Sequence, residues 1–234
     1  MPQGRGHLRL NGLVVVDKPP GWSSMDVVRR VRHAAAGAKT GHAGTLDPLA
    51  TGVIVCCLGR ATTAVERLMG LRKIYQAEID LSAFTTTDDR EGDRSEVETP
   101  PPDRLAVREA LAQFEGVIEQ RPPDYSAIHV AGQRAYKRAR RGEVLHLSPR
   151  KVHVDSVELL DYTWPVVAVR ITCGRGTYIR SIARDLGTAL GSGGHIAHLR
   201  RLAVGPYDLS KSIDAQRLTE PIGQTDLLDW QSPR

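Results

Sequence analysis

Long apolar runs are missing from this sequence, and nothing in it approaches the roughly 18 to 20 residues that a membrane-spanning helix needs. The N-terminal stretch, Met1 to Asn11, lacks the apolar segment of a secretory signal. Both absences point to the cytoplasm, without a membrane partner. Cysteine is scarce: Cys56, Cys57 and Cys173 show no metal-ligand spacing, and two of them are adjacent inside the apolar run Val53 to Leu58. They read as buried thiols in a reducing compartment. The glycine-rich phosphate loop that ends in Lys-Ser/Thr is absent, as is the dinucleotide fingerprint, which disfavours an enzyme built around a bound nucleotide. There is no internal repeat, and no low-complexity tract beyond Pro100 to Pro102.

What is present is enough for one good core. The chain has 234 residues, 41% of them apolar, so one main domain is the default. The net charge of +5 is unevenly spread. Met1 to Arg72 holds 10 basic and 4 acidic residues, Lys73 to Asp103 holds 3 and 9, and Arg104 to Arg150 holds 9 and 5. The cluster Arg134, Lys137, Arg138, Arg140 and Arg141 in the last stretch suits a polyanionic partner, although a solvated helix face would look the same.

The coarse pattern mixes strands and helices. Leu13 to Val16 reads as a strand that ends at Lys18-Pro19-Pro20-Gly21, and Ser23 or Ser24 can cap a helix carrying Val27, Val28 and Val31 on one face. A Gly-rich loop over Gly41 to Gly52 precedes a buried strand, Val53 to Leu58. A helix over Ala61 to Leu71 and an alternating strand over Ile74 to Leu81 follow. Phe84 to Pro102, acidic and Thr-rich, reads as a long exposed loop. Asp103 caps a helix through Phe114 that Gly116 stops. After Pro122-Pro123 come an extended piece at Tyr125 to His129 and a basic helix near Arg134 to Arg141. Strands over Val152 to Leu160 and Val166 to Cys173 lead to a helix over Ile179 to Leu190, which Gly191 to Gly194 ends.

The segment that draws chemical attention is Gly41-His42-Ala43-Gly44-Thr45-Leu46-Asp47-Pro48-Leu49-Ala50-Thr51-Gly52. Its glycines allow tight turns and close approach by a ligand, and Pro48 biases Asp47 away from helical geometry. A carboxylate flanked by Leu46 and Leu49 could be desolvated and made reactive. On these grounds alone, Asp before Pro reads equally as a turn former. His195 and His198 have the spacing of a helical metal pair, but no third ligand accompanies them, so no metal site is assigned.

The Asp47 segment resembles the signature of the bacterial tRNA pseudouridine-55 synthases. Further similar segments run in order: Asn11-Gly12, Asp17-Lys18-Pro19-Pro20-Gly21, Lys73 with Tyr75, Tyr125-Ser126-Ala127, Gly132 to Tyr136, Gly174 to Leu186, and Leu199-Arg200-Arg201-Leu202. The resemblance implies an isomerase that breaks a uridine's glycosidic bond, turns the flipped base in place and rejoins it through carbon, without metal or cofactor. It implies that Asp47 is the catalytic carboxylate, as nucleophile or as base, with Arg180 as its partner and Tyr75 and Tyr178 as pocket tyrosines. His42 and Leu199 would meet the substrate, and Lys18 would support the site or a phosphate. Arg134, Lys137 and Arg141 belong to an insertion, about 124–150, that would grip the T arm of tRNA. The two arginines Arg200 and Arg201 would meet backbone phosphates.

The implied fold is α/β, a mixed, mainly antiparallel sheet with flanking helices over 10–209, acting as a monomer. Many members of that family continue into a small C-terminal RNA-binding domain. Here residues 210–234 are too few for one, so a short tail with a weaker RNA grip is expected.

Overall fold

The computed structural model describes residues 10–231 except 127, 131, 140, 144 and 146, and for 129, 130, 134 and 137 the backbone only. The chain opens with β1 (Gly12–Lys18), α1 (Ser24–Ala34), β2 (Thr40–His42) and β3 (Thr51–Leu58). A 3-10 segment, Gly59–Ala64, leads into α2 (Val65–Gly70), followed by β4 (Lys73–Asp80), β5 (Ala83–Thr85), β6 (Arg94–Glu96) and α3 (Arg104–Ala112). Then come β7 (Gly116–Gln120), β8 (His129–Val130), β9 (Gln133–Arg134), α4 (Ala135–Ala139), β10 (Arg150–Thr163) and β11 (Val166–Cys173). The chain closes with α5 (Ile179–Leu190), β12 (His195–Val204), β13 (Tyr207–Asp208), β14 (Ser212–Asp214) and short 3-10 segments. This is a mixed α/β fold whose strand pairings are mostly antiparallel. It divides into two compact units, Met1–Ile74 with Arg200–Arg234, and Tyr75–Leu199.

In the first unit β1 pairs antiparallel with β3 along its whole length, and β14 lies parallel to the free edge of β1. The other edge of β3 is shared. Its C-terminal end pairs with β2, and Thr51 and Gly52 pair parallel with Arg200 and Arg201 of β12. The unbroken apolar runs of β1 and β3 follow from burial on both faces. Val14, Val16, Ile54, Cys56 and Leu58 meet Val27, Val28 and Val31 of α1, together with Leu218 and Ile222. The alternate residues Leu13, Val15, Val53, Val55 and Cys57 meet Ala61, Ala64 and Leu68, with Leu228 and Trp230 packed against them. Burial pushes the Cys57 thiol up to about 12 and the Cys56 thiol higher still.

Helix α1 starts where the sequence signals it. Ser23 accepts the Asp26 N–H at 3.1 Å, and the Asp26 carboxylate accepts the Ser23 N–H at 2.8 Å, a reciprocal cap. These Ser23 bonds, with Arg29 assisting, hold the Asp26 carboxyl at about 2.

The single helix expected over Ala61 to Leu71 is instead a 3-10 turn followed by a short α-helix. The hydroxyls of Thr62 and Thr63 each donate at 2.8 Å to the carbonyl three residues earlier, which favours the tighter winding.

In the second unit β4, β11, β10 and β7 lie side by side in that order. The alternating burial of β4 marks its faces. The loop expected over Phe84 to Pro102 contains a hairpin, β5 with β6, and a buried Asp89. Arg94 in it bridges Asp80 and Glu96 at 3.2 and 2.6 Å. The insertion has a small core of its own, Ala135, Ala139, Leu145 and Leu147 with Tyr125 against them.

Candidate active site

In the first unit, the chain on both sides of Asp47 is held by buried donors. Gly41 and His42, expected in a loop, form β2 and pair with Cys57 and Cys56. The irregular stretch then runs from Ala43 to Ala50, with Asp47 half-buried within it. Arg201, 1% exposed, donates to the carbonyls of Val53, Thr45 and Gly44 at 2.6, 3.1 and 3.2 Å. The buried Ser24 hydroxyl accepts from Leu46 N–H at 2.8 Å and donates to Leu46 O at 3.0 Å. On the other side of Asp47, the Pro48 carbonyl accepts from Lys18 Nζ at 3.1 Å and from Gly21 N–H at 2.8 Å. The result is a carboxylate on a non-repetitive loop that has little freedom to move.

One expectation narrows here and another changes. Lys18 is 0% exposed and also donates to the carbonyls of Pro19 and Trp22 at 2.9 and 2.7 Å. Its position is that of a support beneath the loop rather than a substrate contact. The expectation that both Arg200 and Arg201 meet phosphates fails for Arg201. Strand alternation turns Arg201 inward, whereas Arg200 stays half-exposed and pairs with Asp17 at 2.6 Å and Thr51 Oγ1 at 3.2 Å. Gly52 is required where it stands: its φ is +101°, and an added Cβ would lie 2.1 Å from the Arg201 carbonyl oxygen. His42 is half-buried, and burial, aided by the Arg201 charge, pulls its imidazole below the usual histidine value. At neutral pH it is an uncharged ring beside the loop.

In the second unit, Tyr178 and Arg180 open α5. Tyr178 is the N-cap, without a side-chain capping bond. Its peptide is clasped by the buried Gln120 amide, which accepts from Tyr178 N–H at 2.7 Å and donates to Tyr178 O at 3.0 Å. Arg180 is 4% exposed, which removes the reading of a solvated surface arginine. Its guanidinium donates to Thr87 O at 3.0 Å and Tyr125 O at 2.9 Å, and lies 3.4 Å from the buried Asp89 carboxylate. Arg184, one turn on, pairs with Asp88 at 2.8 Å. Burial raises the Asp88 carboxyl above its usual range despite the opposing charges of Arg184 and Arg180.

Tyr75 lies on the buried face of β4 at 8% exposure, and Leu199 is 7% exposed in β12. Arg141 is exposed and shares Glu143 with Arg138, at 2.8 and 2.6 Å. That sharing lowers the Glu143 carboxyl and neutralises part of the basic cluster. The side chains of Arg134 and Lys137, and all of Arg140, lie outside the described residues. His195 and His198 sit in a strand, not a helix. His195 is buried against Ala83 O at 2.8 Å, and the exposed His198 lies 3.1 Å from Arg90.

Sequence reasoning missed Ser24, Asp89 and Gln120, and assigned Arg201 to the surface. Ser24, Gln120 and Arg201 act on backbone groups distant in sequence and Asp89 on a distant guanidinium, so spacing carries no signal for them. Only the buried position of an arginine in an alternating strand, Leu199 to Leu202, could have pointed to Arg201.

The family model described as the N-terminal domain of the TruB family pseudouridylate synthases matches residues 30–179. The model of the tRNA pseudouridylate synthase B C-terminal domain matches residues 180–229. The tRNA pseudouridine synthase B of Thermobifida fusca is 47% identical over 219 residues, covering 89% of this chain and 74% of the relative. That of Roseobacter denitrificans is 46% identical over 94% of this chain and 73% of the relative. Among solved structures, a Cbf5-Nop10-Gar1 complex contains a chain with a TM-score of 0.68 and 31% identity, over 89% of this chain. The present chain spans about half of that one, 53%. A pseudouridine synthase architecture is therefore the class of fold in hand. The chain belongs to the TruB family of pseudouridylate synthases.

Proposed function

We propose that this protein converts uridine 55 in the T loop of tRNA to pseudouridine, with Asp47 as the essential carboxylate. The observation that carries the reading is the restraint of the Asp47 loop from both sides, by Arg201 and Ser24 before it and Lys18 after it. A carboxylate that must meet the sugar of one nucleotide gains from such pre-organisation. The names of the relatives, all tRNA pseudouridine synthase B, support the same substrate class.

In the reaction the C1′–N1 bond breaks, the uracil rotates, C1′ bonds to C5, and the hydrogen on C5 leaves to solvent while N1 gains one. Asp47 acts on the sugar, either as a nucleophile at C1′ or as a base on a sugar hydrogen. The target base leaves its stack before it can be reached, and Tyr75, Tyr178, neutral His42 and Leu199 are the groups assigned to receive it. Arg180 is assigned to the reacting carboxylate and sugar. The basic side chains of 124–150 hold the T arm through its phosphates.

The test is tritium release from C5-labelled uridine in a T-arm stem-loop, with carbodiimide mapping of the modified position. The wild type is expected to convert the T-loop uridine, and Asp47→Asn to bind the RNA without converting it. Binding without conversion by the wild type would leave an RNA-binding protein. Conversion at another position would leave a pseudouridine synthase of different specificity.

A further inference from the structure

The first unit contains a groove of about 880 Å³ that this reading does not use. One wall is the outward side of α1, and another is the 3-10 segment Ala215–Thr219. Its apolar surface includes Trp22, Pro20 and Leu218. Its charge is unbalanced: Lys18, Arg29, Arg30 and Arg200 line it against only Asp17 and Asp214. Three of those cations are already engaged. Lys18 holds carbonyls, Arg29 pairs with Asp26, and Arg200 pairs with Asp17. Arg30 differs. Its guanidinium lies 3.9 Å over the Trp22 ring, and no carboxylate pairs with it among the described residues. His33 is also exposed, three residues further along α1, so the two side chains share a face of the helix.

An exposed guanidinium over the face of an indole, with an imidazole on the same helix face and an apolar surface next to both, suits a phosphate that carries a base. The groove also borders the end of the Asp47 loop. Thr51, which lines it, is the residue that resumes strand after that loop, and Lys18 beneath it holds Pro48. We propose that this groove binds a phosphate of the RNA substrate outside the target nucleotide, with Arg30 and His33 as its anion contacts. The proposal rests on the protein acting on RNA, and adds a second contact region to the one assigned to 124–150.

The experiment measures the affinity of the full chain for a complete tRNA transcript across a salt series, for wild type, Arg30→Glu, Arg30→Lys and His33→Ala. In parallel, Trp22 fluorescence, isolated by Trp164→Phe and Trp230→Phe, is titrated with inorganic phosphate and uridine 5′-monophosphate. Arg30 and His33 are exposed, so these variants should fold, and an unchanged urea midpoint checks that. Loss of one phosphate contact is expected to weaken binding by roughly tenfold and to lower the salt slope by about one in Arg30→Glu. Arg30→Lys should retain most of the affinity, and His33→Ala should show a smaller loss in the same direction. Unchanged affinity and slope in Arg30→Glu would overturn the proposal. Saturable quenching by inorganic phosphate with unchanged tRNA affinity would also overturn it, and would assign the groove to a free anion. A wild type that binds tRNA yet converts no uridine would refute the functional reading alone, since the change in salt slope would still decide the groove.

Discussion

Replacing Arg201 by methionine tests whether the Asp47 loop is held from behind as the geometry indicates. Arg201 donates to three carbonyls, those of Val53, Thr45 and Gly44, from a position 1% exposed. Methionine fills similar space and removes the cost of burying a charge, but leaves those three acceptors without their donor. Each stranded buried carbonyl costs about 1–3 kcal/mol, and the three do not add independently. Because methionine also removes the desolvation cost of the guanidinium, the net loss expected is about 3 kcal/mol, less than the sum of the three separate costs. It is a large fraction of a total stability of about 5–15 kcal/mol. Arg200→Met is the internal control. The Arg200–Asp17 pair is about a third exposed on each side, at 39% and 31%, so its loss should cost no more than about 1 kcal/mol. Urea unfolding of both variants, with uridine conversion measured below the transition, makes the comparison. An Arg201→Met protein as stable as Arg200→Met, and converting uridine within twofold of wild type, would refute the claim that Arg201 organises the loop.

Two further outcomes follow from buried charges. Asp89→Ala removes the buried carboxylate 3.4 Å from the Arg180 guanidinium, so a stability loss of up to about 3–5 kcal/mol is expected in urea unfolding. Uridine conversion by the residual folded protein should fall as well; full activity would show that Arg180 needs no such partner. For His42, burial puts the folded-state value below the unfolded value of 6.5, so on acidification the unfolded chain takes up a proton first. The contribution of His42 to stability is therefore complete above about pH 6.5 and declines as pH falls toward the lower folded value. His42→Gln should flatten that part of the stability profile between pH 7 and 5, and an unchanged slope would contradict the assignment.

Much of the chain could be read locally. The helix over Ile179 to Leu190 and the strand over Val166 to Cys173 have the predicted limits, because their periodicity and flanking glycines are local signals. Gly191 ends α5 with a left-handed φ of +64°, the conformation its residue type favours. The errors arose where remote partners decide. Phe84 to Pro102 looks like a solvated acidic loop, yet Asp89 within it is buried because Arg180, far along the chain, supplies the compensating charge. Basic residues between 134 and 141 look like one positive surface, yet Glu143 claims two of them.

The sequence by itself determined the family and the α/β class, since motif order, hydrophobic periodicity and capping residues are written in neighbouring positions. Only the tertiary structure decided how the Asp47 loop is held. Arg201 and Ser24 are separated from the carbonyls they bind by 148 to 157 residues and by 22 residues respectively. A buried hydrogen bond depends on which backbone groups the folded chain deprives of water, and that is a property of packing, not of spacing.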